Sequence, residues 1–206
     1  RGLEMSSFSS SYTSTGASKE ELIQQHGMQP HPEGGFYAET FRSTMSVSTE
    51  LGPRAASTAI YFLMSAGNIS RLHRIKSDEV WHFYLGQPIT VVELDIDAPG
   101  HRRCTVLGNN CVGTVQKVQY VVKRNTWFGS FPNIVGSDDD SGLLSAAGGS
   151  PSGEVDTASR GQKELYSFVG CTVAPGFEFS DFELGSCATL SAEFPKAIDL
   201  IQKMTI

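Results

Sequence analysis

Short runs of aromatic and β-branched residues recur along most of the chain, with turn-forming residues between them. Such runs are typical of β-strands, and the intervening glycines and prolines end one strand before the next begins. Many short strands at this density predict an antiparallel sandwich or barrel. The strands are expected at Phe36–Phe41, Thr58–Met64, Ile69–Ile75, Val80–Leu85, Ile89–Leu94, Val118–Val122, Leu165–Val173 and Phe177–Leu184.

Helix signals lie near both ends of this strand-rich region. Ser18 and Glu21 have the S-x-x-E spacing of a capping box, and Gly27 suits a left-handed C-cap, which predicts one short helix. Apolar residues recur at helical spacing between residues 190 and 204, and Pro195 is best tolerated at the start of a helix. We expect that final helix to pack its apolar side on the core.

The length and composition favour one domain with two unstructured segments. A chain of 206 residues with 39% hydrophobic content can bury one good core, expected at residues 18–206. Arg1–Glu4, ahead of Met5, are expected to be an expression remnant, and with the Ser- and Thr-rich residues that follow they form a flexible leader over residues 1–17. Residues 135–161, with three successive aspartates and few large apolar side chains, predict a flexible insertion.

Charge and cysteine content exclude several classes of function. A net charge of −6 argues against nucleic-acid polymers or anionic membranes as partners. No apolar run approaches the length of a membrane span, and no signal peptide is evident. The cysteines form no CxxC pair, so we expect a reduced, cytoplasmic protein, with a disulfide between Cys104 and Cys111 as the minor alternative.

The segment Gly67–Gly86 carries the most chemistry. Its sequence predicts two strands joined by a polar turn, which form a hairpin across which His73 and Glu79 can meet. If both side chains point inward, they form the floor of a small-molecule cavity. Strand alternation then places three further side chains in that cavity: Arg71, Trp81 and Phe83.

This segment has the glycine, histidine, glutamate and glycine spacing of the first cupin motif. Four blocks in order, QPHPEGGFYAETFRS, IYFLM, SRLHRIKSDEVWHFYLG and VGCTVAPGFEFSDFEL, resemble the cupin-like family called domain of unknown function 985. The resemblance covers about residues 22–204. It implies an all-β, double-stranded antiparallel barrel of the jelly-roll type with a few short flanking helices, and a homodimer.

The chain departs from the metal-binding pattern of cupins at two positions. Metal-binding relatives use two histidines and a glutamate of the first motif and a histidine of the second, but here Ile75 and Phe128 replace two of the histidines. His73 and Glu79 alone do not complete the ligand set of a catalytic metal. We therefore expect no metal cofactor; the alternative is a metal-dependent dioxygenase or isomerase in which water or substrate completes the site.

Metal-free catalysis has a precedent among the cupin nucleotide-diphosphosugar epimerases, whose first-motif histidine is the general base. By that resemblance His73 is the base and Glu79 its partner. The expected ligand is a small polar molecule, with a nucleotide, nucleotide-sugar or sugar phosphate as the leading choice. Its further contacts are drawn from His31 and Glu33 at the cavity mouth and from Arg42, Arg71, Arg74, Tyr37, Tyr84 and Asp181.

Two alternative interpretations of these residues and of the barrel are also compatible with the sequence. His73 and Glu79 can be a hydrogen-bonded polar pair without a catalytic role. The whole barrel can likewise be a non-enzymatic dimeric scaffold whose acidic insertion contacts a partner.

Overall fold

A computed structural model describes residues 16–112, 115–133 and 165–205. The expected insertion and all but the last two residues of the expected leader lie outside these ranges. The helices are α1 (Lys19–His26), α2 (Cys187–Glu193) and α3 (Ile198–Met204). The strands are β1 (Gln29–Pro30), β2 (Phe36–Arg42), β3 (Ser46–Thr49), β4 (Gly52–Ala55), β5 (Thr58–Ser65), β6 (Ser70–Arg74), β7 (Asp78–Gly86), β8 (Ile89–Leu94), β9 (Arg102–Leu107), β10 (Gln119–Val122), β11 (Phe128–Pro132), β12 (Tyr166–Ala174) and β13 (Glu183–Leu184).

Two antiparallel sheets face each other across the core. One has the strand order β1-β2-β5-β12-β7-β10, and the other has the order β13-β6-β11-β8-β9. Phe62, Trp81 and Val169 from the first sheet pack with Val91 and Phe128 from the second. The β3–β4 hairpin forms a small sheet of its own. The predicted jelly-roll barrel with short flanking helices is confirmed.

The strands on either side of the Lys76–Asp78 turn do not form the predicted hairpin. β6 pairs with β11 and β13, whereas β7 pairs with β12 and β10, so the turn carries the chain from one sheet to the other. His73 and Glu79 therefore approach each other across the barrel interior and not along one two-stranded ribbon. His73 and Glu79 are neighbours, as predicted, but the hairpin from which this was predicted does not form.

The first helix forms as its caps predict. The Ser18 side chain accepts the Glu21 backbone N–H, the Glu21 carboxylate accepts the Ser18 backbone N–H, and Gly27 closes the helix with φ of 59°. Leu22 and Met28 are buried in a cluster on the outer side of the six-stranded sheet. None of the helices in the described part of the chain is long and apolar enough to cross a membrane.

The predicted final helix is confirmed as α3, which follows a 3-10 turn begun by Pro195. Its buried side chains Leu200, Ile201 and Met204 lie in one cluster with Leu72 of the five-stranded sheet and with Trp127, the residue before β11. The apolar stripe therefore packs on the core, as expected. The separate helix α2, capped by the Ser186 side chain, was not predicted.

The strand predicted at Phe177–Leu184 is wrong for most of its length. Phe179–Asp181 form a 3-10 turn, and only Glu183–Leu184 join a sheet. Phe177, Phe179 and Phe182 cluster with one another, so they do not alternate between two faces of a strand. Conversely, the sequence patterns did not predict β3, β4, β9 and β11. β4, β9 and β11 contain Pro, Gly or Arg, which weaken a strand signal, and β3 is a short SVST segment without aromatic residues.

Candidate active site

A cavity of about 280 Å³ lies among strands of both sheets. Its lining comes from β1, β2, β5, β7 and β12 of the larger sheet, from β6 of the smaller sheet with the residue that follows it, and from the irregular segments 31–33 and 177–182. His73 and Glu79 are almost fully buried and form its floor, whereas Arg42 and Phe179 are exposed and mark its mouth. The volume is just below the range for small-molecule sites, roughly 300–1000 Å³.

The loop between β1 and β2 carries Glu33 into the floor of the cavity. The backbone N–H groups of His31 and Gly34 donate to the carbonyls of Gly35 and His31, which closes a tight turn. Gly34 has φ of 116°, and a Cβ there would lie 2.5 Å from a backbone oxygen of the neighbouring segment. Glycine is therefore required at this position for the close approach. The Arg71 N–H donates to the Glu33 carbonyl at 2.8 Å and ties the loop to β6.

Glu33 is the centre of a buried polar cluster. Only 6% of the residue is exposed. Its Oε1 accepts from the Ser70 hydroxyl at 2.8 Å, and its Oε2 lies 3.1 Å from His73 Nε2 and 3.4 Å from His31 Nδ1. Burial raises the pKa of the Glu33 carboxyl above its usual range, which favours the protonated form.

The orientation of His73 fixes which ring nitrogen carries hydrogen. Nδ1 lies 2.7 Å from the Arg71 carbonyl oxygen, and because a carbonyl only accepts, Nδ1 must donate. Nε2 is then the basic nitrogen, and it faces Glu33. Burial lowers the pKa of His73 despite the nearby carboxylate of Glu79, so the ring tends to be neutral. Glu33 and His73 therefore share one proton, which lies between Glu33 Oε2 and His73 Nε2.

Glu79, on β7, is the second buried acid of the cavity. It is 7% exposed, and the buried Cys171 thiol on β12 hydrogen-bonds its carboxyl group. Burial raises the pKa of Glu79 to about 7, and Glu33 adds to this effect while His73 opposes it. A carboxyl group with this pKa is present in both protonation states at neutral pH, which is the condition for efficient general acid–base catalysis.

The mouth of the cavity combines one arginine with aromatic rings. Arg42 donates to both carboxylate oxygens of Glu39, at 3.0 and 2.8 Å, and to Glu178 at 2.7 Å. Beside it, four rings form a cluster that we call the aromatic collar: Tyr37, Phe177, Phe179 and Phe182. Neighbouring rings of the collar have centroids 5.1 to 6.5 Å apart.

Half of the residues predicted for the site line the cavity, and some lie deeper than expected. The lining contains His31, Glu33, Tyr37, Arg42, His73 and Glu79. Glu33 was expected at the mouth but lies at the floor, in contact with His73. Cys171 and most of the aromatic collar were missed, because the phenylalanines were assigned to the general core; their clustering in FEFSDF was the available signal.

A β-bulge removes Arg71 from the predicted cavity. Phe128 pairs with His73 and Ser130 with Ser70, so three steps along β6 match two along β11. The extra residue puts Ser70 and His73 on the same side, where both contact Glu33, and leaves Arg71 exposed. The simple alternation from which Arg71 was assigned is therefore interrupted.

The other predicted ligand residues have partners elsewhere. Arg74 donates to Glu183 and lies over the Trp127 ring, and Asp181 accepts two hydrogen bonds from Arg54, each at 2.8 Å. Both pairs lie outside the cavity lining. Three predicted aromatic residues are also absent from that lining: Trp81 and Phe83 are in the central core, and Tyr84 is half exposed and packs against Tyr61 and Phe168.

Comparison with known proteins places this chain in a family. The family model described as Cupin superfamily (DUF985) matches residues 20–185. The chain belongs to this family. No curated protein matches the chain.

Two solved structures share the cupin fold of the chain over nearly its whole length. A protein of Shewanella oneidensis is 27% identical, with 92% of this chain and 98% of that chain covered and a TM-score of 0.71. A hypothetical protein of Leishmania major is 32% identical, with 92% and 99% covered and a TM-score of 0.72. These similarities support the same fold and carry no assigned activity.

The cavity does not fit the metal centre of metal-binding cupins. Ile75 and Phe128 occupy the two positions at which those cupins have histidines, and the Phe128 ring lies 4.1 Å from the His73 ring. His73 uses Nδ1 for a carbonyl and Nε2 for Glu33. Within the described ranges, no group of three or more His, Cys, Asp or Glu side chains could hold a metal ion.

Proposed function

We propose that this cupin is a metal-independent enzyme that moves a proton on a small polar organic molecule, in an isomerase- or epimerase-like reaction. The observation that carries the proposal is the buried carboxyl group of Glu79, with a pKa of about 7, beside the proton shared by Glu33 and His73. One cavity therefore has both a base and an acid that work near neutral pH.

In the proposed reaction Glu79 is the base, and not His73 as the resemblance implied, because both ring nitrogens of His73 already face the Arg71 carbonyl and Glu33. Its carboxylate takes a proton from a carbon next to a carbonyl group, and the electron pair of the broken C–H bond moves into an enolate. The proton between Glu33 and His73 is then given to the enolate, at the same carbon from the other side or at the neighbouring atom. Return of a proton from Glu79 to the Glu33–His73 pair through bound water restores the starting state.

The positions of the arginines favour a ligand without phosphate. The nucleotide-sugar expectation needed arginines to hold a diphosphate, but Arg71 and Arg74 lie outside the cavity lining, and Arg42 is bound to Glu39 and Glu178. A phosphate at the mouth would have to compete with both carboxylates for Arg42. We therefore propose a small unphosphorylated carbonyl compound as the substrate class.

Hydrogen exchange with solvent tests the proposal directly. The protein is incubated in D2O with a panel of small hydroxy- and amino-aldehydes, ketones and sugars, and loss of C–H signals is followed by proton NMR. We expect exchange next to the carbonyl in at least one compound, abolished in Glu79→Gln. Tyr84→Phe is the control. Tyr84 was predicted to contact the ligand but packs against Tyr61 outside the cavity lining, so this variant should retain the activity.

Two results would contradict the proposal. Exchange that continues unchanged in Glu79→Gln would show that Glu79 is not the base. Absence of exchange across the panel, together with tight binding of a nucleotide-sugar by calorimetry, would favour the phosphate-containing ligand instead.

A further inference from the structure

The described lining of the cavity is rich in carboxyl groups and poor in free positive charge. Four glutamates line it, two at the floor and two at the mouth: Glu33, Glu79, Glu39 and Glu178. Arg42 is the one arginine or lysine among the described lining residues. Burial lowers the pKa of both lining histidines, so neither supplies a dependable positive charge at neutral pH.

Arg42 is not available to an anionic ligand. Its Nε and Nη2 donate to Glu39, its Nη1 donates to Glu178, and Nη2 also donates to the Phe177 carbonyl at 3.2 Å. The two carboxylates around it outnumber its single charge. The mouth therefore has a net negative charge, which attracts cations and repels anions.

The aromatic collar adds a second, independent preference for cations. Phe179 is half exposed at the mouth, with Phe177 at 5.1 Å and Phe182 at 6.3 Å between ring centroids. The faces of such rings attract organic cations, most strongly when the cation is partly removed from water. Uncharged and cationic ligands both gain from contact with the rings, but only a cation gains from the rings and the carboxylates together.

We infer that the ligand of this cavity is a small organic cation, a protonated or alkylated amine that the aromatic collar and the glutamates hold at the mouth and floor. This inference rests on the proposed function for the identity of the pocket as the active site. It adds that the substrate carries an amine beside its reactive carbonyl group.

Binding of such a cation is coupled to proton release. Glu79 faces His73 from β6, Glu33 from the loop and Cys171 from β12, and in these surroundings burial keeps part of its population protonated at neutral pH. A cation favours the ionised carboxylate, so it displaces this proton on binding. The affinity for a cation should accordingly rise as the pH increases through about 7.

A pair of probes that differ only in charge tests the inference. Choline and 3,3-dimethylbutan-1-ol have the same shape, with nitrogen replaced by carbon in the second. Calorimetry with the full chain should show choline binding about tenfold more tightly than its neutral counterpart. Glucose 6-phosphate, the anionic probe, should bind more weakly than either. Choline binding should also release protons, seen as a heat of binding that depends on the buffer.

Two variants separate the contributions to this preference. Phe179→Leu keeps an apolar side chain but loses the ring, and should lower the ratio of choline to neutral affinity several-fold. Glu178→Gln removes one charge at the mouth, and should weaken choline while strengthening glucose 6-phosphate. Phe179 and the Glu178 side chain are both about half exposed at the mouth, so circular dichroism should show an unchanged fold.

Equal or weaker binding of choline relative to its neutral counterpart would overturn the inference. So would failure of choline to bind at tens of millimolar. In either case, solvent hydrogen exchange that depends on Glu79 would leave the proton-transfer proposal intact. Conversely, selective choline binding without any Glu79-dependent exchange would contradict the proposed reaction and retain the cation site.

Discussion

Replacement of Glu79 by glutamine is expected to stabilise the protein at pH 8 much more than at pH 5. In the folded protein the carboxyl pKa is raised from 4.5 to about 7 by burial. Between these values the folded state holds a proton that the unfolded state has released, so rising pH favours unfolding. The stability of the wild type is therefore highest below the unfolded pKa and declines as the pH passes through the folded one.

The magnitude follows from the two pKa values. Each pH unit between them is worth about 1.4 kcal/mol, so ionisation of Glu79 costs the fold about 3 kcal/mol by pH 8. Glutamine has nearly the shape of the protonated acid and does not ionise. Glu79→Gln should match the wild type within about 1 kcal/mol at pH 5 and exceed it by about 3 kcal/mol at pH 8.

Urea denaturation at pH 5, 6, 7 and 8 measures this difference. Val173→Ala is the matched control, because Val173 also lines the cavity and is buried but carries no ionisable group. Its destabilisation should be the same at every pH. A difference between Glu79→Gln and wild type that does not change with pH would refute the reasoning, because it would mean that Glu79 titrates normally.

Three other predictions concern the surroundings of the site and the oligomeric state. Glu33→Ala removes the partner of His73 Nε2 and should lower the free energy of unfolding by about 2 kcal/mol, measured by urea denaturation, whereas Glu33→Gln should cost less. Gly34→Ala places a Cβ 2.5 Å from a backbone oxygen and should therefore lower stability by more than Gly27→Ala does. At Gly27 nothing lies within 4 Å, so only the left-handed backbone conformation is strained, at a cost of about 1 kcal/mol. Thermal unfolding of the two variants measures the difference. The predicted homodimer should appear in light scattering as twice the chain mass, and a wild-type monomer would contradict this prediction.

Local sequence signals were sufficient where the structure depends on neighbouring residues. The capping box at Ser18 and the left-handed Gly27 predicted α1 within its observed bounds. Runs rich in aromatic and β-branched residues located β2, β5, β7, β8 and β12, whose side chains fill the core. His73 and Glu79 do line one cavity, although the hairpin from which this was predicted does not form.

Errors arose where distant parts of the chain decide the conformation. The bulge that separates Arg71 from His73 depends on the register with β11, more than 50 residues further along. The Lys76–Asp78 turn has the composition of a hairpin, but the pairing partners of β6 and β7 lie elsewhere in the sequence. Asp181 could not be recognised as the partner of Arg54, because 127 residues separate them.

The energetic cost of the buried acids argues that they have a use. About 3 kcal/mol at pH 8 is a large fraction of the 5–15 kcal/mol by which domains are typically stable. The same barrel places Ile75 and Phe128 beside His73, so apolar side chains are compatible with this part of the interior. A scaffold without a ligand would gain stability from well-packed apolar residues in place of the whole polar cluster of Glu33, His73 and Glu79. That two acids stay next to one neutral histidine, in a cavity open to solvent through an aromatic collar, is better explained by binding and proton transfer than by support of the fold.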